Sequence, residues 1–241
     1  MKLHLAIDTA TSLGSVALGD EKTLVGEFVI GDRRHAAALV PAIEDLLRLG
    51  GRRWQDLGGI VLADGPGSFT GLRIGFATVQ GLVREHPALD VHRAPSLLAT
   101  AWSVLGCCNG PVAAVYDALR GEVFAAVYEF GKGQITTLLA PRLTTPEELA
   151  ESGLRPCLAA GDGAVVHAAL MRQWTGRAPL GPPVGAPRAS ALLALLGVPE
   201  ATTPVADPAS AEPDYGRAAE AQVRWEHQHG QPLPNPPSRS S

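Results

Sequence analysis

The chain has 241 residues, of which 46% are hydrophobic and 18% charged, and its formal net charge is -4. This composition is typical of a globular protein with a sizeable core. The negative net charge excludes a protein that binds nucleic acid by itself through a strongly basic surface. No apolar run reaches the ~18 residues of a membrane span and no signal peptide is evident, so we expect a cytoplasmic protein without a membrane segment.

The first part of the chain predicts a mixed sheet covered by helices. Three strands, a helix and two strand–helix pairs follow one another: 2–8, 15–19, 24–30, then 34–49, then 59–64 with 71–84, and 89–95 with 96–106. The antiparallel start followed by alternation of strands and helices indicates an α/β domain over residues 1–108.

The second part repeats this order in a shorter form. Strands are predicted at 112–117, 121–130, 134–139 and 157–163, with a helix start at Thr145, Pro146 and Glu148 and further helices at 164–174 and 190–197. Residues 5–18 and 114–127 share one design, a strand that ends in aspartate and a returning strand. We therefore predict a duplicated domain with a second, truncated lobe over residues 109–198, with coincidence of two ordinary hairpins as the alternative.

The C-terminal part differs in composition. Four prolines and no apolar periodicity in residues 199–214 indicate a linker or a surface strap, residues 215–229 could form one short helix, and residues 231–241 are expected to be disordered.

The stretch DGPGSFTGLRIG, residues 64–75, is the most distinctive of the chain. It lacks the lysine of a Walker phosphate loop and the glycine spacing of a dinucleotide fold, so it indicates a strand-to-helix turn with Ser68 or Thr70 as the cap. On the helix, Gly71, Gly75 and Thr78 form a stripe of small residues beside an apolar stripe of Leu72, Phe76, Val79 and Val83. The small stripe predicts the close approach of another backbone, which belongs either to this chain or to a partner.

Polar residues that could contact a nucleotide follow the first strand. Asp8, Thr9, Thr11 and Ser12 offer a carboxylate and hydroxyls that could hold a metal-bound phosphate, or they could satisfy the turn backbone; the two interpretations stay open.

No catalytic or metal-binding pattern is evident. The histidines, including His227 and His229, lack metal-ligand spacing, and no serine nucleophile signature occurs. The three cysteines have neither zinc spacing nor an even count, which favours reduced cysteines without a disulfide.

Several of these stretches together resemble the TsaB (YeaZ) family, the dimerisation subunit of the bacterial tRNA threonylcarbamoyladenosine machinery. They are LAIDTAT, RRHAAALVPAIEDLL, GPGSFTGLRIG, VYDALRGEVF and EPDYGRAAEAQ. The resemblance implies the actin-like ATPase fold, with two ribonuclease-H-like lobes of mixed sheets. It also implies a non-catalytic subunit that binds the TsaD-type catalytic subunit, which transfers threonylcarbamoyl to the adenosine beside the tRNA anticodon.

The resemblance carries further expectations about sites and partners. Ser96 and Thr100 stand where the catalytic relative has metal-binding histidines, which implies no metal site and no catalytic residue in this chain. The partner interface is expected on the helices of the first lobe: His35, Leu39, Ile43, Gly71, Leu72, Gly75, Phe76, Thr78 and Val79. The resemblance further implies that a TsaE-type ATPase joins the complex and that the free chain forms a homodimer. It implies that tRNA is contacted only indirectly and that ATP or ADP binds at the partner interface. Alternatives are a small-molecule kinase or ATPase of this fold and a metalloprotease.

Overall fold

The computed structural model describes residues 2–31, 35–131 and 133–217. The predicted helix start at residue 34, and the predictions for a helix beyond residue 217, for His227 and His229, and for a disordered tail, lie outside these residues.

The first sheet has six strands in the order β10-β5-β4-β1-β2-β3. Their bounds are β1 Leu3–Asp8, β2 Gly14–Gly19, β3 Leu24–Ile30, β4 Leu57–Ala63, β5 Asp90–Ala94 and β10 Thr203–Pro204. The strands β1, β2 and β3 form an antiparallel meander, and β4 and β5 continue from β1 in parallel. The sequences of these strands are rich in apolar residues, in alternating or continuous runs. Such runs are expected because helices cover both faces of the sheet.

The second sheet has four strands in the order β8-β7-β6-β9. Their bounds are β6 Val112–Asp117, β7 Val123–Gly131, β8 Gln134–Thr144 and β9 Leu158–Ala160. Again the first three strands are antiparallel and the fourth joins the first in parallel.

The same strand order in both sheets confirms the duplication expected from the repeat. Asp8 and Asp117 end the equivalent first strands β1 and β6. The chain therefore has the mixed α/β, two-lobed fold of the actin-like ATPases, with each lobe built on a ribonuclease-H-like sheet.

Seven helices of the described chain cover the sheets. Their bounds are α1 His35–Leu49, α2 Phe69–Glu85, α3 Ser96–Ser103, α4 Pro146–Glu151, α5 Asp162–Val166, α6 Ala168–Thr175 and α7 Ala189–Leu195. An apolar cluster lies between the first sheet and α1 and α2, and another lies among the strands and helices of the second lobe. A third cluster includes α3 and α7 and residues from both sheets, so the lobes share a core.

Two expectations about the second lobe were wrong. The predicted helix at 164–174 is broken into α5 and α6 at His167, whose backbone leaves the helical region (φ -106°, ψ 35°). Cys108 and Cys157 form a disulfide, with Cα atoms 6.3 Å apart, and Cys107 is free and exposed. The pairing of β6 with β9 brings the two cysteines together, because the Cys157 amide donates to the Pro111 carbonyl at 2.8 Å.

The segment after α7, residues 199–217, is called the strap here. Its strand β10 pairs antiparallel with β5 at the edge of the first sheet. No helix in residues 2–31, 35–131 or 133–217 is long and apolar enough to cross a membrane.

Candidate functional site

Two carboxylates lie at the carboxyl ends of the parallel neighbours β1 and β4. Asp8 is fully buried; its Oδ1 accepts a 2.9 Å hydrogen bond from the Ala10 amide, and its Oδ2 has no partner among the described residues. Burial raises the pKa of Asp8 to about 7, and the nearby charges of Asp64 and Glu27 act in the same direction. Burial also raises the pKa of Asp64 to about 6, against the opposing effect of Arg93. This edge of the sheet therefore holds two carboxyl groups that titrate close to neutral pH.

The remaining candidate nucleotide contacts are in the loop that follows β1. Thr9 is fully buried with an unpartnered Oγ1 in the described chain, and the Thr11 hydroxyl donates to the Leu13 carbonyl at 2.8 Å. Of the four polar residues, Ser12 alone is exposed. A nucleotide would reach Asp8 and Thr9 only after their cover had moved, so nucleotide contact stays a prediction.

The turn at residues 65–67 holds this loop by backbone contacts. The Ser68 amide donates to the Ala10 carbonyl at 2.7 Å, and a Cβ at Gly67 would overlap the same carbonyl oxygen. The Ser68 hydroxyl accepts from the Gly71 amide at 3.2 Å, which confirms Ser68 as the cap of α2. The glycines of this stretch are therefore required because two backbone segments touch.

The small-residue stripe of α2 packs against the same loop. A Cβ at Gly71 would overlap the Thr9 carbonyl oxygen, and a Cβ at Gly75 would lie 2.5 Å from the Thr9 Oγ1. The close backbone predicted from the sequence thus belongs to this chain. The interpretation of Gly71 and Gly75 as a flat surface for a partner is wrong.

The other residues expected at the partner interface also face the chain's own core. The buried members of that set are His35, Leu39, Ile43, Gly71, Leu72, Gly75, Phe76 and Val79, and Thr78 is half-buried. His35 makes a 2.9 Å hydrogen bond to the Thr11 carbonyl through its Nε2. An apolar stripe at helical spacing marks the face that packs on the sheet, so these side chains are not presented at the surface, and a partner interface on the two helices stays a prediction.

The opposite side of α1 and α2 is exposed, and the two helices pack side by side. We call it the outer helix face; its exposed residues are Ala36, Ala37, Val40, Pro41, Glu44, Asp45 and Arg48 of α1 and Arg73, Ala77, Gly81 and Arg84 of α2. It carries small and apolar side chains together with charged ones. The signal in the sequence was the second stripe, Ala37, Val40 and Pro41, which lies beside the buried one.

The hydroxyls of Ser96 and Thr100 form a buried network with Tyr116. The Gly65 amide donates to the Ser96 Oγ at 3.0 Å, the Thr100 Oγ1 and the Tyr116 hydroxyl are 2.6 Å apart, and that hydroxyl donates to the Ser96 carbonyl at 2.7 Å. Burial raises the pKa of Tyr116 well above its usual value. Neutral hydroxyls already engaged in this way do not fit a transition metal, and the described residues include no cluster of three His, Cys, Asp or Glu side chains able to hold one. Sequence reasoning had missed Tyr116, which precedes the strand-end Asp117.

Comparisons with known proteins agree on one family. The family model described as "TsaD: tRNA N6-adenosine threonylcarbamoyltransferase" matches residues 29–172. The chain is 31% identical to the tRNA threonylcarbamoyladenosine biosynthesis protein TsaB of Bacillus subtilis, over 92% of this chain and 96% of that protein. It is 38% identical to the protein of the same name from Escherichia coli over 127 residues, which are 52% of this chain and 54% of that protein.

Solved structures give the same relationship. YeaZ from Pseudomonas aeruginosa superposes with a TM-score of 0.69 and 28% identity, covering 82% of this chain and 91% of that one. An "uncharacterized protein with similarity to peptidase YEAZ from Pseudomonas aeruginosa" superposes with a TM-score of 0.75 and 29% identity, covering 90% of this chain and 100% of that one.

Proposed function

The chain belongs to the TsaB family, and from this premise we propose that it takes part in the biosynthesis of threonylcarbamoyladenosine in tRNA as a non-catalytic subunit. A relative that matches nearly the whole length, from Bacillus subtilis, carries that biosynthesis in its name. In this proposal the chain binds a TsaD-type catalytic subunit and holds it in its active arrangement, and the partner transfers threonylcarbamoyl to the tRNA adenosine.

The observation that carries the proposal is the outer helix face. Apolar side chains that are exposed on one face and accompanied by polar residues can mark a protein interaction site. Val40 is 43% exposed, Ala37 and Pro41 are exposed on the same helix, and Ala77 is exposed on α2. Small side chains let another pair of helices approach closely, and the charges of Glu44 and Arg73 can pair with a partner and fix its orientation.

The hydroxyl network on α3 supports the non-catalytic part of the proposal. Ser96 and Thr100 bond to Gly65 and Tyr116 inside the chain and leave no free metal ligand at that place. The kinase or ATPase alternative has less support, because Asp8, its expected magnesium-binding carboxylate, is fully buried with a pKa raised to about 7. That alternative predicts ATP turnover by the isolated chain that Asp8→Ala abolishes.

Further partners follow from the same proposal. A TsaE-type ATPase would join the assembled pair, ATP or ADP would bind where the subunits meet, and tRNA would contact mainly the other subunits, in keeping with the net charge of -4. The free chain could pair with a second copy through the outer helix face, because a twofold dimer uses one patch twice.

A co-purification experiment tests the interface. Ala77→Arg places a long charged side chain in the middle of the outer helix face, and it should reduce the amount of TsaD-type subunit that co-purifies with the tagged chain by about tenfold or more. Ala169→Arg is the matched control, since Ala169 is exposed on α6 of the second lobe. Equal recovery of the catalytic subunit with both variants would exclude this interface.

A further inference from the structure

The strap runs from the edge of the first sheet to the opening between the lobes. The Val205 amide donates to the Val91 carbonyl at 2.8 Å, and Gln80 Nε2 donates to the Ala211 carbonyl at 3.0 Å. The Asp214 amide then donates to the Asp64 carbonyl at 2.8 Å. The strap therefore follows β5 and α2 and arrives at the carboxyl end of β4.

At that point the strap crosses the turn at residues 65–67. A Cβ at Gly65, whose φ is +115°, would overlap the Asp214 carbonyl oxygen. The Tyr215 ring lies 4.7 Å from the Phe69 ring, centroid to centroid, at the start of α2. Gly65 must be glycine here because the backbone of the strap lies directly upon it.

The strap next reaches the second lobe. A Cβ at Gly216 would lie 2.6 Å from the Pro66 Cβ and 2.8 Å from the Phe124 ring, so this residue is wedged between the lobes. The Arg217 Nη2 donates to the Ala118 carbonyl at 2.6 Å, and its guanidinium lies 5.2 Å from the Phe124 ring centroid. Residues 214–217 of the strap thus contact the turn and the start of α2 in one lobe and the β6–β7 hairpin in the other.

This crossing lies over the edge of the sheet where α/β proteins place their ligands. Ligands of open α/β sheets bind outside the carboxyl ends of the parallel strands. In this chain Asp8 and Thr9 lie at that edge, fully buried, with the Asp8 Oδ2 and the Thr9 Oγ1 unpartnered in the described residues. Such atoms are costly to bury, which is expected of a polar crevice that the chain itself has closed.

We propose that residues 214–217 are a clasp that closes the crevice between the two lobes. The clasp adds contacts between the lobes at the carboxyl ends of β1 and β4, beyond the core that the lobes already share, and a ligand makes such contacts when a two-lobed protein closes around it. When the clasp releases, the turn at 65–67 loses its link to the second lobe, so the loop at 9–13 beneath that turn and the hairpin at 117–123 become accessible together. The inference concerns the relation of the two lobes and does not depend on which partner the outer helix face binds.

Gly216→Ala tests the clasp with the addition of one methyl group. Gly153→Ala is the matched control: both glycines have positive φ, +66° and +77°, but a Cβ at Gly153 meets nothing within 4 Å. Hydrogen exchange measured by mass spectrometry on the full chain should show amides of 9–13 and 117–123 exchanging about tenfold faster or more in Gly216→Ala, and unchanged rates there in Gly153→Ala.

Acceleration confined to residues 214–217, or equal acceleration in both variants, would overturn the proposal. Arg217→Ala provides a second variant in case Gly216→Ala does not fold, with Arg155→Ala as its control, because the Arg155 side chain donates to the carbonyl of its neighbour Leu154. Amide exchange in the same two segments should be faster in Arg217→Ala and unchanged in Arg155→Ala. Unchanged exchange rates in Arg217→Ala would also overturn the proposal.

Discussion

The equivalent aspartates of the two lobes differ in exposure although each accepts a hydrogen bond from the amide two residues further along the chain. Oδ1 of Asp8 accepts from the Ala10 amide at 2.9 Å, and Oδ1 of Asp117 accepts from the Leu119 amide at 2.9 Å. Asp8 is nevertheless fully buried, whereas Asp117 is half-buried. The hydrogen bond at the strand end is common to both lobes, and the segments packed above it decide how deeply the carboxyl group is buried.

The cover of each turn explains the difference. In the first lobe, Gly67, Gly71 and Gly75 allow the turn at 65–67 and helix α2 to lie directly on the loop after β1. In the second lobe the chain turns back sharply through Leu119 and Arg120, both at positive φ, and the strap touches it at the Ala118 carbonyl. The two copies therefore differ. In the first lobe the polar loop after β1 is covered by α2, whereas in the second lobe the β6–β7 hairpin is short and more open.

The largest expected effect comes from the buried carboxyl group of the first lobe. Since the folded pKa of Asp8 is raised from 3.8 to about 7, the folded state binds the proton more tightly and loses stability as the pH rises through this interval. Asp8→Asn should therefore raise the free energy of unfolding by about 4 kcal/mol at pH 8, and this gain should vanish towards pH 4. Urea unfolding at several pH values measures it.

The control for that variant is the equivalent residue of the second lobe. Asp117→Asn keeps an oxygen for the same turn hydrogen bond at a half-buried position and should change the free energy of unfolding by less than about 1 kcal/mol. A gain for Asp8→Asn that does not change with pH would contradict the account of the sealed loop.

The second lobe should depend on its disulfide. The bond between Cys108 and Cys157 closes a loop with a sequence separation of 49, so Cys157→Ser should lower the free energy of unfolding by about 3 kcal/mol. Cys107→Ser removes the exposed free thiol and should have no effect. Thermal unfolding without reductant compares the two; similar melting temperatures would show that the bond contributes nothing.

The glycine packing of the first lobe predicts a contrast within one helix. Gly71→Ala should lower the free energy of unfolding by about 2–3 kcal/mol, because its Cβ has no room beside the Thr9 carbonyl. A Cβ at Gly81 on the same helix meets nothing within 4 Å, so Gly81→Ala should raise it by up to about 1 kcal/mol. Chemical denaturation gives both values, and equal signs would contradict the packing described for the loop.

The smallest expected effect concerns the hydroxyl network between the lobes. Thr100→Val removes one partner of the Tyr116 hydroxyl, which keeps its bond to the Ser96 carbonyl, so the expected loss is about 1 kcal/mol. Ser103→Ala, on the same helix, removes a bond to a helix carbonyl and should cost less. A loss above that of Gly71→Ala would contradict this account, in which the Tyr116 hydroxyl keeps its bond to the Ser96 carbonyl.

Features encoded by neighbouring residues could be predicted from the sequence. The strand Leu24–Ile30 was predicted at its observed bounds, as was Val112–Asp117. The capping box of α4 is present, with Thr145 and Glu148 bonded reciprocally. Each of these depends on side-chain alternation or on a side chain reaching its own helix start, which the local sequence contains.

Features set by distant contacts could not be predicted. The disulfide joins residues 49 apart in sequence, and the path of the strap depends on contacts such as Arg217 with Ala118. The same limit affected the candidate site: the spacing of Gly71 and Gly75 predicted a close backbone correctly, but only the folded chain shows that Thr9 supplies it. Local sequence marks the helix face that is buried but does not record which distant segment packs against it.

Hydrogen exchange of this chain, alone and with a TsaD-type catalytic subunit, tests the central claim most directly. Complex formation should slow exchange in residues 36–45 and 73–84, which contain the outer helix face, and leave the edge strand β8 of the second lobe unchanged. Slowing in the second lobe without any in α1 and α2 would contradict the proposed interface.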